Sequence, residues 1–299
     1  MYNQLTGPRE RSSEEPTKQT NLWLDAIRRF RRNKLAMFGA LIVFLLVFAA
    51  IFAPWITLAG YDETKYLEEA YAFPSMKHLL GIDPIGRDYF SRIVYGARVS
   101  LMVGFLATGI SSLVGIPLGA LAGYLGGKAD WFIMRLIEII SVIPPLLIAI
   151  LFMTILGSGL QNVVLAIVIT GWINVCRLVR GQILSLKERD FVIAARGLGA
   201  KSHRIIIQHL LPNSLGPIIV SMTLGIPTAI MIEAGLSFLG LGVNPPTPSW
   251  GQMINDGLSY MRFYWHLPLF PAIMVALTML AFSFVGDGLR DALDPMMKI

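Results

Sequence analysis

The stretch Glu188 to Asn213, ERDFVIAARGLGAKSHRIIIQHLLPN, is the one long polar interruption in the apolar second half of the chain. Phe191, Ala194, Ala195 and Leu198 recur at i, i+3, i+4 and i+7. That spacing predicts a helix with these four on one side and Glu188, Arg189 and Arg196 mostly elsewhere. Gly197 and Gly199 stop or bend it, and a second short helical pattern, Ser202 to Leu211, is closed by Pro212. Two short helices joined at glycines, rich in Arg and Lys and flanked by hydrocarbon-length segments, form a basic knob too polar to insert in a membrane. Its charges suit either simple solvation or docking into a groove on a partner.

Outward from that knob the chain is apolar. Of 299 residues, 55% are hydrophobic and 15% charged, with a mean hydropathy of +0.62. That balance excludes an ordinary soluble domain and predicts an all-α polytopic membrane protein. The single cysteine, Cys176, excludes an internal disulfide and a cysteine-rich metal site. The formal charge of +6 collects beside apolar spans, which argues for membrane topology rather than nucleic-acid binding.

Six transmembrane helices are expected. Residues 1–21 read as a disordered tail, and Leu22 to Lys34 reads as a basic helix lying on an anionic membrane surface. Together, 1–34 make a cytoplasmic tail and interfacial helix. The first span is 35–58; the second runs from Val99 to Leu125, with Gly104, Gly109, Gly115, Gly119 and Gly123 allowing close packing. The third runs from Trp131 to about Leu156, and the fourth follows Gly157-Ser158-Gly159 to near Arg177. Ser214 to Leu239 and Leu267 to Gly286 complete a five-helix core, 99–287, with a polar loop at 180–213 and a C-terminal segment at 288–299.

The basic residues put the tail, the knob and the C-terminus in the cytoplasm. The loop 59–98 is then extracytoplasmic, a small ordered lobe in which the GIDPIGRD turn and a Tyr89 to Val99 helix cover the bundle's outer mouth. Val243 to His266 forms a second cap on that side.

Catalytic patterns are missing from the sequence. Gly127-Lys128 is followed by Ala129 and preceded by Ala122 where a phosphate-binding loop needs Gly, and neither a His-Glu-x-x-His nor a Gly-x-Ser-x-Gly pattern occurs. Asp287, Arg290, Asp291 and Asp294 fit an ion cluster at a helix end, and Arg135 with Glu138 an i, i+3 pair. Glu233 stands inside an apolar span. Such a group lines a translocation path, or pairs with an Arg such as Arg98 or Arg262, or closes a structural pair at the span's end. With Pro227 and Ser237 it makes up the candidate pore or gate positions. The breaks at Pro144-Pro145, Gly157-Ser158-Gly159 and Gly225-x-Pro227 serve as hinges or as packing kinks. Six spans with so few intramembrane polar groups offer little lining for a polar solute, so a second, similar bundle is expected.

Three stretches carry a family resemblance. Ile193-Ala194-Ala195, Gly199 and Leu211-Pro212 resemble the EAA motif of permease subunits of bacterial ABC importers, with Ile193 standing where that motif usually has Glu. Leu80 to Asp88 with Tyr95 to Arg98, and Leu236 to Gly242 with Pro248 to Gly251, resemble the oligopeptide/dipeptide permease "C" subunits. The resemblance implies a type I ABC importer permease fold in the bacterial inner membrane and a role in peptide import. It assigns ATPase coupling to Arg189, Asp190, Ala194, Ala195, Arg196, Gly199, Ala200, Lys201 and Arg204. It also implies partners: a second permease, two ATPase subunits that carry ATP and Mg, and an extracytoplasmic peptide-binding protein. This chain would then bind no cofactor and perform no covalent chemistry. Nickel and glutathione are alternative solutes of the same family; a membrane-embedded enzyme using Glu233 or Asp287 is the reading from another class.

Overall fold

A computed structural model describes residues 22–57 and 59–293. The expectations for the tail 1–21, for Asp294 in the ion cluster and for 294–299 of the C-terminal segment fall outside those residues. Asn33 divides the basic N-terminal helix α1 (Leu22–Arg32) from the first span α2 (Lys34–Ile51), its side chain accepting from Ala36 N at 3.1 Å to cap α2. A single turn, α3 (Ala53–Ile56), ends that segment.

The outer half of the second span departs from expectation. No separate Tyr89 to Val99 helix lies over the bundle: α4 runs unbroken over 37 residues, Tyr89–Leu125, from an N-cap at Asp88 whose carboxylate accepts from Ser91 N at 2.8 Å. Nothing between Arg98 and Val99 interrupts the backbone, so the change from polar to apolar sequence marks a change of surroundings and not a helix end.

The third span is broken. α5 (Gly127–Ser141) and α6 (Pro145–Leu156) meet at 79°. Pro144 and Pro145 cannot donate amide hydrogens to the preceding turn, and Pro145 is accommodated as the first residue of a new helix. Among the described residues five helices are long and apolar enough to cross a membrane, and a sixth if the bent pair counts as one span.

The fourth span, α7, extends to Leu186 (Leu160–Leu186), well past Arg177. Beyond the knob, α10 (Leu211–Phe238) continues through Pro217 and Pro227, and α12 (His266–Leu293) closes the bundle.

Glycines permit close helix contact. Gly115, Gly119 and Gly123 lie one turn apart on α4 and let α7 approach so nearly that a Cβ at Gly119 would sit 2.5 Å from the Cys176 carbonyl oxygen. Gly104 does the same against Ile226 and Ile230, whereas Gly109 has nothing within 4 Å and takes no part.

At the end of the bundle opposite the knob the loop is ordered, as expected. Asp83 holds the GIDPIGRD turn by accepting from Ile85 N (3.0 Å), Arg87 N (2.9 Å) and Arg87 Nε (2.5 Å). The 243–266 segment folds inward: Trp250, the first residue of α11 (Trp250–Leu258), is wholly buried and donates from Nε1 to the Ile93 carbonyl of α4 at 3.1 Å.

Candidate partner-docking knob

After α7 the chain makes α8 (Asp190–Gly197), α9 (Ser202–Ile205) and a wider helical turn, Ile206–Leu210, that runs directly into α10. Pro212 therefore opens the next span instead of closing the second knob helix. The helix passes through it without a stop, continuous from Ser202 to Phe238.

The stop after α8 is local chemistry. Gly199 N–H donates to the Arg196 carbonyl (3.0 Å) and Ala200 N–H to the Ala195 carbonyl (3.1 Å), with Gly199 at φ +78°. This paired arrangement is a Schellman close, in which the residue just past the helix must take a left-handed conformation that glycine adopts without a Cβ penalty. The spacing Ala195-x-x-x-Gly199-Ala200 is thus a built-in turn that aims the backbone from α8 into α9.

Packing rotates α8 away from the expected face. Val192 and Ala195 are buried with Val179, Ile183, Ile205 and Leu210, anchoring the knob on the ends of α4 and α7. Of Phe191, Ala194, Ala195 and Leu198 only Ala195 is buried; Leu198 is 90% exposed and Ile193 53%. A helix of eight residues has too few turns for its periodicity to fix a face, and Leu198 already lies beyond its end.

The structure brings the sequence-predicted docking residues onto one projection. Arg189, Asp190, Ala194, Arg196, Gly199, Lys201 and Arg204 are exposed, Ala200 is partly covered and Ala195 serves as the anchor. Arg196 sits 5.9 Å from the centre of the Tyr124 ring on α4, and Arg204 Nε donates to Gln208 Oε1 at 2.8 Å. Exposed Ile193, Leu198 and Ile207 are interleaved with these charges, giving the mixed apolar and cationic character of a protein interface.

A brace that sequence reasoning missed lies nearby. Arg180 of α7 donates to both carboxylate oxygens of Asp130 on α5, at 2.5 and 2.6 Å. The two are 50 residues apart, and only the fold pairs them. Arg135 and Glu138 form the expected pair at 2.9 Å; among the described residues Asp287, Arg290 and Asp291 make no ion pair with one another.

The candidate pore positions lie inside the bundle. Glu233 is fully buried, and its partners are hydroxyls, Ser237 Oγ (2.7 Å) and Ser100 Oγ (3.2 Å), not Arg98 or Arg262. Because Ser100 Oγ also accepts from Trp250 N (3.3 Å), this carboxyl ties α4, α10 and α11 together. Pro227 is buried too. A cavity of about 800 Å3 opens elsewhere, between α4, α7, α10 and α12, and none of the three lines it.

Comparison with known proteins agrees with this architecture. Residues 115–299 match the family described as binding-protein-dependent transport system inner membrane component, and residues 21–74 match the N-terminal transmembrane domain of oligopeptide transport permease C. The oligopeptide transport system permease protein OppC of Bacillus subtilis (strain 168) is 47% identical over 94% of this chain and 92% of its own length. The dipeptide permease DppC of the same organism is 46% identical over 92% of this chain and 86% of its own. The glutathione transport system permease protein GsiD of Escherichia coli O6:K15:H31 (strain 536 / UPEC) is 44% identical, covering 95% of this chain and 94% of its own. A chain of the MetNI methionine ABC transporter, in an inward-facing conformation, superposes with a TM-score of 0.59 at 19% identity, over 69% of this chain and 97% of that one. The protein accordingly belongs to the family of binding-protein-dependent inner-membrane transport components, in its oligopeptide permease C branch, and is a multi-pass permease subunit of the all-α importer fold.

Proposed function

We propose that this chain is one of two permease subunits of an ATP-driven peptide importer and that the knob between α7 and α10 is its docking point for an ATPase subunit. The observation that carries the proposal is the Schellman-closed projection. Val192, Ala195, Ile205 and Leu210 fix it to the bundle while its cationic and apolar face stays free. The surplus of basic residues at the knob's end of the bundle supports a cytoplasmic position for it and for both termini. The lobe at the other end is then where a binding protein delivers its cargo. Closure of an ATP-loaded ATPase pair would draw two such knobs together and tilt the spans as rigid bodies; hydrolysis on those subunits would release them.

Peptide as the cargo is supported by the names of the relatives, oligopeptide and dipeptide permeases. The glutathione permease relative favours a second reading, a short modified peptide. Deleting Ala194 to Gly199 is expected to abolish both ATPase copurification and ATP-dependent uptake; copurification at the parent level would end the docking assignment. Mass spectrometry of the ligand carried by the copurified binding protein decides between the two cargoes.

A further inference from the structure

No Asp, Glu, Lys or Arg occurs from Ile139 to Cys176, a run that leaves the knob's end through the last turn of α5 and through α6 and returns along α7. The charges that flank this run, Glu138 and Arg177, line one cavity of about 380 Å3 together with Asp130, Trp131, Arg135 and Arg180. Both ends of an uncharged hairpin therefore meet at one level, the border between hydrocarbon and headgroups on the knob's side of a membrane. Trp131, 63% exposed, stands at that border, where amphipathic rings gather. The cavity's three guanidiniums face two carboxylates. Arg180 is held by both oxygens of Asp130, and Arg135 pairs with Glu138 at 2.9 Å. Arg177 is left over: its Nη2 donates to a neutral hydroxyl, Ser141 Oγ, at 3.0 Å, and it makes no ion pair among the described residues. The stripe of α5 that carries Trp131, Arg135 and Glu138 continues at i+11 as Val142, 81% exposed, with exposed Ile139 and Ile143 beside it. A charged cavity thus opens onto an apolar strip that leads away from the knob.

We propose that this cavity is a binding site for an anionic phospholipid of the leaflet on the knob's side, with its phosphate on Arg177 and one acyl chain along Ile139, Val142 and Ile143. A guanidinium at the headgroup border that serves only a hydroxyl has N–H donors to spare for two phosphate oxygens. Arg135 and Arg180 are already balanced by Glu138 and Asp130, so the site offers one unit of positive charge. That matches a phosphodiester carrying a single negative charge and disfavours a zwitterionic headgroup, whose own cation would meet Arg177. A free phosphate would leave the apolar strip uncovered, whereas a lipid fills cavity and strip together. Bound there, the lipid joins α5 to α7 beside the Asp130–Arg180 brace, at the base of the knob. The site is independent of the cargo that the transporter carries.

The test uses the transporter purified with the subunits that accompany it and reconstituted in phosphatidylcholine nanodiscs. These carry a trace of either phosphatidylglycerol or phosphatidylcholine with a photoreactive diazirine on the acyl chain. After irradiation, mass spectrometry is expected to find phosphatidylglycerol adducts on residues 132–143 in about fivefold excess over phosphatidylcholine adducts, the effect of one basic residue beside an anionic headgroup. Arg177→Gln should remove that excess and Arg177→Lys should keep most of it. Arg31→Gln, on the exposed face of the basic helix α1, should leave it unchanged. Millimolar inorganic phosphate should not compete; full competition would replace the lipid by a free anion and overturn the proposal. Equal labelling by the two lipids, or an excess that survives Arg177→Gln, overturns it as well. So does an absence of adducts on 132–143, which would mean that a neighbouring subunit covers this face. The comparison of the two lipids needs no variant and decides the matter where Arg177→Gln does not assemble.

Discussion

Glu233 Oε1 accepts a 2.7 Å hydrogen bond from the Ser237 hydroxyl one turn along α10, while Oε2 accepts from Ser100 of α4 at 3.2 Å. A carboxyl in this position is a cross-helix tie, and its value is set by the hydroxyls it satisfies. Glu233→Ala removes the acceptor shared by two buried hydroxyls and leaves a void, and is expected to cost about 2–4 kcal/mol. Glu233→Gln keeps an acceptor and the side-chain shape, so its loss should stay within about 1 kcal/mol. Thermal unfolding of the purified complex separates the two; equal damage by both would mean that the carboxyl's charge is required.

Two glycines of α4 make a paired experiment. At Gly119 an added methyl would meet the Cys176 carbonyl at 2.5 Å, and at Gly109 it would meet nothing within 4 Å. Gly119→Ala is expected to destabilise the α4/α7 contact by about 1–3 kcal/mol, while Gly109→Ala should be neutral or stabilise by about 1 kcal/mol through helix propensity. Melting temperatures in detergent check both signs.

Gly199, at φ +78° with open space around its Cα, tests the knob's turn by conformation alone. Asparagine tolerates the left-handed region and valine does not, a difference of about 1–2 kcal/mol at one residue. Gly199→Asn should retain most ATP-dependent uptake and ATPase copurification, and Gly199→Val should lose most of both. Equal retention by the two would show that the turn does not control docking.

The lobe at the far end of the bundle has its own acid-sensitive clasp. Lys77 Nζ donates to Glu69 Oε1 at 2.5 Å and His78 Nε2 lies 3.0 Å from Oε2, and these bonds, Lys77 first, hold the Glu69 carboxyl below its ordinary value of 4.5. A carboxylate depressed in this way stabilises the lobe at every pH above its unfolded value and loses that contribution as pH falls through the lower folded one. The protection of amides in residues 66–82, taken relative to the intrinsic exchange rate at each pH, should therefore hold from neutral pH down to about pH 5 and fall below it. Glu69→Gln should show the lower protection at every pH.

What the sequence made legible was whatever depends on near neighbours. The stop at Gly199 needs only residues 195 to 200, and the packing glycines announce themselves by a spacing of four. Arg180 with Asp130, and Glu233 with Ser100, are pairs made by folding across 50 and 133 residues, and no local pattern points from one partner to the other. Hydropathy divides α4 at Val99 where the backbone does not, because hydropathy reports the surrounding medium while helix continuity depends on the backbone. The break at Pro144-Pro145 could be located but not its 79° angle, which packing sets. Thr170, Asn174 and Gln182 of α7, which line the cavity of about 800 Å3, did carry a signal, a helical stripe of polar residues, that vanishes when hydropathy is averaged over a whole span.

Helix α4 has one more implication. At 1.5 Å per residue its 37 residues measure about 55 Å, nearly twice a roughly 30 Å hydrocarbon layer. Its head is pinned beneath the lobe by Arg92, which donates to the Tyr61 carbonyl at 3.3 Å, and its foot carries Tyr124, on which Arg196 rests. A tug on the lobe is therefore handed to the opposite pole along a single shaft, whose one absent amide link is at Pro117.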